Sequence, residues 1–216
     1  MVLVVAALLA TNCGDKASSG PAPTPGPSPI QTPATAADDF ERSELGQNWI
    51  VYNGSVGIVN RSDIGMLGMS GNILGLGIVA WNAATFSADQ FSEGVVSAGI
   101  DPQVAMQVFV RRRTSDGQRY AFHWNPFDGR WEIKRDGGVG APVLAIMAGT
   151  PLTPGDLIRI EVRGTALRGY RNGPLILTAA DSVLAGAGQP GMALNIGVVT
   201  RFPTPCFGSW RGGSLD

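Results

Sequence analysis

The sequence predicts an all-β domain folded as an antiparallel β-sandwich, and three observations support this prediction. From Asp38 onward, apolar residues recur at every second position in short runs, which is typical of strands with one buried face. Clusters of Gly, Asn, Asp and Pro separate the runs and mark tight turns. The runs do not alternate with helical segments, so a parallel βαβ arrangement is excluded and the strands are expected to close into a sandwich or jelly roll.

The composition agrees with this fold class and excludes several functions. The chain has 216 residues, of which 30 are Gly and 15% are charged, whereas an average protein has roughly a quarter of its residues charged. The net charge is −1 and the basic residues are spread along the chain apart from 111–113, so no nucleic-acid partner is predicted. The two cysteines, Cys13 and Cys206, supply no internal disulfide framework, because Cys13 belongs to an export segment.

Residues 1–13 have the features of a signal peptide. The nine residues from Val2 to Ala10 are all apolar, which suits a signal-peptide core and is well short of the roughly 20 residues that span a membrane. The stretch 8–14 resembles a bacterial lipoprotein cleavage site, and the resemblance implies that Cys13 is lipidated. Asn12 departs from the Gly or Ala usual just before that cysteine, and the alternative is an ordinary cleaved signal with an incidental cysteine.

Residues 14–37 form a predicted linker between the signal and a folded domain at 38–216. Six prolines lie between Pro21 and Pro33, and such a segment forms an extended, semi-rigid spacer rather than a core. We therefore expect an exported protein of the bacterial cell envelope or outer surface. It is either secreted or held to the membrane through a lipid anchor only.

The folded part contains ten clear strand candidates, and four glycine-containing turns lie between them. In 105–112 the pattern places Met106, Val108 and Val110 in the core, and Gln107 and Arg111 on a solvent-facing side. The predicted strands are 48–52, 55–59, 73–81, 93–100, 105–112, 118–124, 131–135, 156–163, 167–171 and 175–178, and the turn glycines are Gly117, Gly129, Gly137 and Gly173.

Several short motifs then carry a resemblance to a known fold family. They are Asp38-Asp39-Phe40-Glu41-Arg42 with Leu45-Gly46-Gln47-Asn48-Trp49, Trp131-Glu132-Ile133-Lys134-Arg135, and Tyr170-Arg171-Asn172-Gly173. Their order resembles the concanavalin A-like, laminin G-like jelly roll over residues 38–215. The resemblance implies that the first strand pairs with the last near 207–210. It leaves the function open, because one fold carries many functions.

No catalytic residue is predicted, so the protein is not expected to be an enzyme. Glucanases that share this jelly roll carry their carboxylates as E-x-D-x-x-E on one strand, and that motif is absent. Glu132 and Asp136 are four residues apart, roughly 13 Å along a strand, which is too far for either hydrolytic geometry. The single histidine, His123, has no sequence cue to a nucleophile, and no G-x-S-x-G motif occurs.

No cofactor is predicted to be required, and calcium is the one metal that the residues suggest. Calcium takes six to eight oxygen ligands, and related sandwiches hold one with Asp side chains and backbone carbonyls. The candidate ligands are Asp38, Asp39 and Asp216. The alternative interpretation is that these are solvated charges at the ends of the domain.

A non-catalytic, lectin-like function is the main hypothesis, with a polysaccharide or glycoconjugate as ligand. Sugars are recognised by aromatic faces beside fixed polar groups. Tyr120, Phe122 and Trp124 alternate with Arg119 and His123 along one strand, and most aromatics are expected to be core. Trp124 and Trp210 are predicted to be exposed, and Arg111 and Arg113 either line an open face or form a solvated edge. The proposed ligand-binding residues are Trp124, His123, Arg111, Tyr170 and Arg171.

Two other functions stay open at this point. A structural or adhesive module would bind a surface protein or copies of itself, and it predicts a flat or apolar exposed patch. Glycan binding instead predicts a groove with at least two exposed aromatics. A degenerate polysaccharide-degrading enzyme predicts carboxylates clustered in a cleft.

Overall fold

The computed structural model describes residues 34–54, 56–61, 64–69, 75–97, 104–196 and 206–215. Within these ranges the regular structure consists of strands, and no helix there is long and apolar enough to cross a membrane. The predicted signal peptide, Cys13, most of the predicted linker and Asp216 lie outside the described residues.

Two antiparallel sheets make up the domain, which confirms the predicted sandwich. The first sheet has the order β13-β12-β11-β6-β15-β4-β3, and β1 also pairs with β15. The second sheet has the order β10-β9-β8-β7-β14-β5-β2. Fifteen strands are described: β1 Thr35–Asp38, β2 Trp49–Asn53, β3 Val56–Arg61, β4 Ile64–Met69, β5 Gly75–Trp81, β6 Gln90–Val96, β7 Val104–Arg112, β8 Arg119–Asn125, β9 Arg130–Asp136, β10 Val143–Ala148, β11 Leu157–Arg163, β12 Ala166–Arg171, β13 Leu175–Ala180, β14 Gln189–Ile196 and β15 Cys206–Ser214.

The core lies between the two sheets and is rich in aromatic side chains. At one end Trp49 packs against Trp81 and Trp210, with ring centroids 5.2 and 4.8 Å away. Further along, Trp131 stacks on Phe122 with centroids 5.1 Å apart. These side chains are at most 7% exposed. Burial of each large apolar side chain contributes roughly 1.5–3 kcal/mol.

The opening motif is held together by the carboxylate of Asp38. Arg42 donates to both of its oxygens at 2.6 Å, Trp49 donates through Nε1 at 2.7 Å, and the Phe40 amide donates at 2.8 Å. Burial raises the pKa of Asp38, but the hydrogen bonds from Arg42 and Trp49 outweigh it and hold this pKa below its usual value. The motif is therefore a structural clasp around Asp38.

The first strand pairs with the last, as the family resemblance implied. Asp38 lies opposite Trp210 and Thr35 lies opposite Gly213. The sandwich thus begins at Thr35, three residues before the boundary predicted at Asp38. Hydropathy did not mark this start because the strand is held by backbone pairing, and only Ala36 of its short side chains packs on the core.

Each of the ten predicted strands overlaps an observed strand, and the four predicted turn glycines have positive φ. On β11, Ile158, Ile160 and Val162 are fully buried while the intervening residues are partly exposed, as the alternation predicts. The strands β1, β4, β10, β14 and β15 were not among the ten, although the family resemblance placed a last strand near 207–210.

The prediction for β7 is wrong for the face of the strand that was expected to be exposed to solvent. Met106, Val108 and Val110 are in the core as expected, but Gln107 and Phe109 on the other side are also buried. This strand lies in the middle of the second sheet between β8 and β14, and the Arg119 guanidinium lies 5.4 Å from the centre of the Phe109 ring. Neighbouring side chains therefore cover residues that hydropathy alone assigns to solvent.

Candidate functional site

Three polar side chains form a row across the second sheet, on the face turned away from the core. Gln107 on β7 lies opposite His123 on β8, and His123 lies opposite Glu132 on β9. We call this face the outer face and these three residues the polar row. Directly paired residues on adjacent strands have their side chains within contact distance, so the row is a continuous polar strip three strands wide.

Both carboxylate oxygens of Glu132 are engaged by neighbouring side chains. One oxygen lies 3.1 Å from His123 Nε2, and the other accepts from Asn125 Nδ2 at 2.9 Å and Arg130 Nε at 2.7 Å. The hydrogen bond from His123 lowers the pKa of Glu132 to about 2, against the opposing effect of burial. Glu132 is therefore ionised at neutral pH.

His123 is neutral at the same pH, with its proton assigned to Nε2. Burial lowers the pKa of His123, although the bond to Glu132 acts in the other direction. Because Nε2 faces an ionised carboxylate it must donate, and Nδ1 is then an acceptor. This Nδ1 has no hydrogen-bond partner, and neither does Gln107 Oε1 beside it. The row thus presents two acceptors that lack donors.

A pair of arginines lies further along the outer face. The Arg112 guanidinium lies 3.2 Å from the ring centre of Tyr52, and Tyr52 donates to Gln189 Oε1 at 2.6 Å. Arg119 forms a 2.6 Å ion pair with Asp136. Each arginine has a buried Nε without a partner. We call Arg112 and Arg119 the arginine pair.

Apolar residues fill the outer face between the polar row and the arginine pair. They form a cluster separate from the main core, and no described strand lies over it. The polar row and the arginine pair are at most 6% exposed, and the long arginine side chains provide part of that cover. The cluster consists of Ile78, Ala80, Phe109, Ala121 and Ala193.

Unpaired buried polar atoms are concentrated on this face. The described residues contain five buried side-chain nitrogen or oxygen atoms without a hydrogen-bond partner, and four of them belong to the polar row and the arginine pair. Buried polar atoms in native proteins are nearly always bonded, so such a concentration requires an explanation. A ligand that supplies the missing partners is one.

The two tryptophans that were predicted to be exposed, one of them the proposed ligand residue Trp124, are in the core instead. Trp124 and Trp210 were predicted to be exposed, yet they are 5% and 2% exposed. Trp124 packs against Trp131 with centroids 5.6 Å apart, and Trp210 stacks on Trp81 at 5.4 Å. The prediction failed because a strand end next to a turn can still lie beneath the opposite sheet, which a single sequence does not reveal.

The predicted open face of Arg111 is also corrected. Arg111 has φ of 51°, and β7 has two residues, Val110 and Arg111, opposite the single residue Pro190 of β14. This bulge turns Arg111 inward, where it donates to the carbonyls of Ala88 and Leu184. Arg112 takes its place on the outer face. Arg113 lies in the following turn and pairs with Asp116.

Tyr170 and Arg171 lie on the first sheet, away from His123. Tyr170 donates to Glu161 at 3.0 Å. Arg171 donates to the Thr150 and Pro151 carbonyls and pairs with Asp156 at 2.6 Å. Its guanidinium is engaged in holding this loop. Of the five predicted ligand residues, only His123 belongs to the polar row.

One of the three predicted calcium ligands, Asp38, is already engaged in hydrogen bonds within the protein. Both oxygens of Asp38 are occupied by four donors, so this carboxylate is not free for a metal. Asp39 is exposed and accepts from the Glu41 amide, while Asp216 lies outside the described residues. Within the part of the chain that the structure describes, no cluster of three or more His, Cys, Asp or Glu side chains could hold a metal ion.

A recess lies on the outside of the first sheet. A cavity of about 810 Å³ is lined by the Asp38 to Asn48 segment together with Glu93, Trp81 and Arg211. A smaller one of about 290 Å³ adjoins it at Glu93 and extends to Tyr170. The charges along it are mutually paired: Glu93 with Arg159 and Arg211, and Glu161 with Arg159.

Hairpin turns that are recognisable in the sequence indicate part of the candidate site. Gly129 closes a tight turn between β8 and β9, and hairpin pairing across it sets His123 opposite Glu132. Gly117 closes the preceding turn between β7 and β8, and pairing across it sets Gln107 opposite His123. Tyr52 comes from β2, which is distant along the chain, and the bulge at Arg111 removes Arg112 from the simple alternation.

No family model matches the chain, and no curated protein sequence matches it. Solved structures do resemble it. The carbohydrate-binding module CBM66 from Bacillus subtilis has a TM-score of 0.57 and 18% identity, and the match covers 74% of this chain and 91% of that one. The Bacillus licheniformis β-glucanase has a TM-score of 0.60 and 11% identity, covering 86% and 100%. A Bacillus subtilis protein of unknown function with a galectin-like fold has 0.60 and 11%, covering 82% and 93%. At these identities the comparisons show a shared jelly-roll sandwich.

Proposed function

We propose that this protein is an exported carbohydrate-binding module without catalytic activity, and that its ligand lies across the polar row on the outer face of the second sheet. The observation that carries the proposal is the pair of unpaired acceptors, Gln107 Oε1 and His123 Nδ1. A carbohydrate presents many hydroxyl donors on a partly apolar frame. It supplies donors to the acceptors and apolar C–H surface to the adjoining cluster.

The fold neighbours support a carbohydrate ligand. One of them is named as a carbohydrate-binding module and another as a β-glucanase. A shared sandwich at this level of identity leaves the chemistry to the site itself. Whether the protein only binds a carbohydrate or also hydrolyses it must therefore be inferred from the residues of the outer face.

The carboxylates of the outer face favour binding alone. Glu132 is saturated by His123, Asn125 and Arg130, and its pKa of about 2 removes it as a proton donor at neutral pH. Asp136 pairs with Arg119 and Lys134. The two acids are four residues apart on β9, roughly 13 Å, whereas retaining glycosidases hold theirs about 5–5.5 Å apart.

The export part of the proposal comes from the sequence. The apolar segment 2–10, the lipoprotein-like site at Cys13 and the proline-rich linker favour a domain displayed at the cell envelope, secreted or lipid-anchored. A polysaccharide or glycoconjugate of that compartment is the expected partner.

A glycan array probed with the purified protein, followed by calorimetry on the best ligand, tests the function. The variant Gln107→Leu removes an unpaired acceptor at little cost in packing, so we expect binding to fall at least tenfold while the melting temperature stays level or rises. Thr178→Ala, on an exposed position of β13 in the first sheet, is the matched control and should bind normally. Absence of binding to plant, algal and bacterial polysaccharides, or steady release of reducing ends from any of them, would refute the proposal.

One observation favours the adhesive alternative. Strand β10 forms an edge of the second sheet and exposes Val143, Ile146 and Met147. An exposed apolar edge strand is a template for pairing with another strand. In this alternative the β10 edges of two copies associate, and the protein acts as a self-adhesive surface module.

A further inference from the structure

The arginine pair is a concentration of buried positive charge that the described residues do not neutralise. Arg112 and Arg119 are 6% and 2% exposed. Lys134 lies beside them, and the only carboxylate that forms ion pairs with this group among the described residues is Asp136, at 2.6 Å from Arg119 and 3.6 Å from Lys134. Arg119 and Lys134 therefore share one carboxylate, and Arg112 is attracted to Asp116 without an ion pair.

Arg112 is the one cation of these three that forms no salt bridge among the described residues. Its contact with the Arg113 carbonyl is a long one of 3.4 Å. Tyr52 also hydrogen-bonds with it, and Asp116 attracts it electrostatically without forming an ion pair. Buried charges in proteins are nearly always paired, since an isolated one costs several kcal/mol. Burial lowers the pKa of both arginines, and the charge of Arg112 further lowers that of Arg119. The positive charges of the two guanidinium groups thus oppose each other.

The surroundings hold the pair in place for an incoming anion. Arg112 is stacked on Tyr52, which is fixed by its bond to Gln189, and Arg119 lies over Phe109. Neither Nε has a partner. A planar guanidinium with free donors matches a carboxylate in a bidentate geometry. Preorganised donors bind with a smaller entropic cost than flexible side chains.

The arginine pair and the polar row lie close enough on the outer face for one extended ligand to contact both. Arg119 and His123 are on the same face of β8, four residues apart, which is roughly 13 Å. A linear polysaccharide lying along the strands would therefore contact both. The apolar cluster lies between them, and Lys134 lies opposite Ala121 of this cluster on the same face.

We propose that the outer face takes an acidic polysaccharide, with a sugar carboxylate bound between Arg112 and Arg119 and the hydroxyls of the same chain meeting Gln107 and His123. This inference rests on the proposed carbohydrate function and narrows its ligand class. It also assigns a role to Arg112, which the sequence motifs did not single out.

Calorimetry with polygalacturonate, neutral laminarin and dextran sulfate tests this assignment on the full chain. We expect polygalacturonate to bind at least tenfold more tightly than laminarin, and Arg112→Gln to remove that preference. Arg113→Gln is the matched control, because it removes the same charge from the next residue, outside the outer face. Arg112→Lys keeps the charge but loses the bidentate geometry, and should bind between wild type and Arg112→Gln.

Other outcomes separate the two proposals. If laminarin binds as well as polygalacturonate and Arg112→Gln changes neither, the carbohydrate function stands and the anionic site is wrong. If dextran sulfate binds equally well and Arg113→Gln weakens it as much as Arg112→Gln, the attraction is non-specific charge and the site is again wrong. If no glycan binds, both fail. Should Arg112→Gln fold poorly, the Lys variant decides, since an unchanged affinity for polygalacturonate would exclude the bidentate contact.

Discussion

Replacement of Glu132 by Gln removes the negative charge of this side chain while keeping its size and shape, and so measures what the charge contributes to stability. Glutamine has the shape of a protonated glutamic acid, so Glu132→Gln imitates the wild type after this one group has taken up a proton. The ordinary pKa of the group is 4.5 and the folded protein lowers it to about 2. That difference corresponds to about 3 kcal/mol of folding free energy supplied by the ionised carboxylate at neutral pH.

The sign follows from the direction of the shift. Because the folded-state pKa lies below the unfolded one, the contribution is complete above about pH 5 and is lost as the pH falls through 4.5 toward 2. His123 also has a lowered pKa, so the unfolded chain takes up a proton near its ordinary value of 6.5 before the folded protein does. Its contribution likewise declines with falling pH. Because Glu132 raises the pKa of His123 against the effect of burial, the variant alters this contribution too, and the comparison reports the Glu132–His123 pair.

Urea unfolding followed by tryptophan fluorescence at pH 7, 5, 3.5 and 2.5 measures the effect. We expect Glu132→Gln to be less stable than wild type by about 3 kcal/mol at pH 7 and by progressively less below pH 4.5. Glu44→Gln removes the same charge from an exposed loop position and serves as the control. A deficit that is equal at every pH, or absent at pH 7, would show that the ionised Glu132 is not what stabilises this row.

Two more predictions concern the clasp and the edge. Asp38→Ala leaves Arg42 and Trp49 Nε1 without their acceptor and should lower the free energy of unfolding by about 3 kcal/mol in urea titrations, whereas the exposed neighbour Asp39→Ala should cost less than about 1 kcal/mol. Ile146→Lys places a charge on the exposed β10 edge. If copies associate there, light scattering of the wild type should show dimers or larger species and the variant should be monomeric; a monomeric wild type at all concentrations excludes the adhesive alternative.

The parts of the fold that the sequence predicts are those with one buried and one exposed face. On β11 the alternation of Ile158, Ile160 and Val162 with charged residues is complete, and the observed strand agrees. The strands that were missed lack this contrast. Leu194 and Ala193 on β14 are both buried, because this strand lies between β7 and β5 with side chains covering each face. The edge strand β10 is apolar on both sides although most of it is exposed.

The candidate site was less predictable, since one local irregularity decides which arginine lies on the outer face. Pro190 lacks a backbone N–H and cannot complete the ladder, and β7 accommodates it with the bulge at Arg111. This reverses the alternation for the last residues of the strand. Strict period-two counting therefore places Arg111 on the outer face and hides Arg112. The pairing of β14 with β7 is long-range, so the effect of Pro190 is visible only once the sheet order is known.

We favour the outer face over the two recesses on the first sheet as a ligand site, because unpaired buried polar atoms are concentrated on the outer face. Glu93 lines both recesses and is bound by Arg159 and Arg211. Glu161 lines the smaller recess and is bound by Arg159 and Tyr170. A ligand entering there must break these bonds or bind without them, and the described lining offers one unpaired buried atom, Trp81 Nε1. On the outer face the protein has left two acceptors and two cationic donors unpaired at a cost to its own stability. Residues retained at such a cost, on a face that the core does not need, are best explained by a bound partner that completes them.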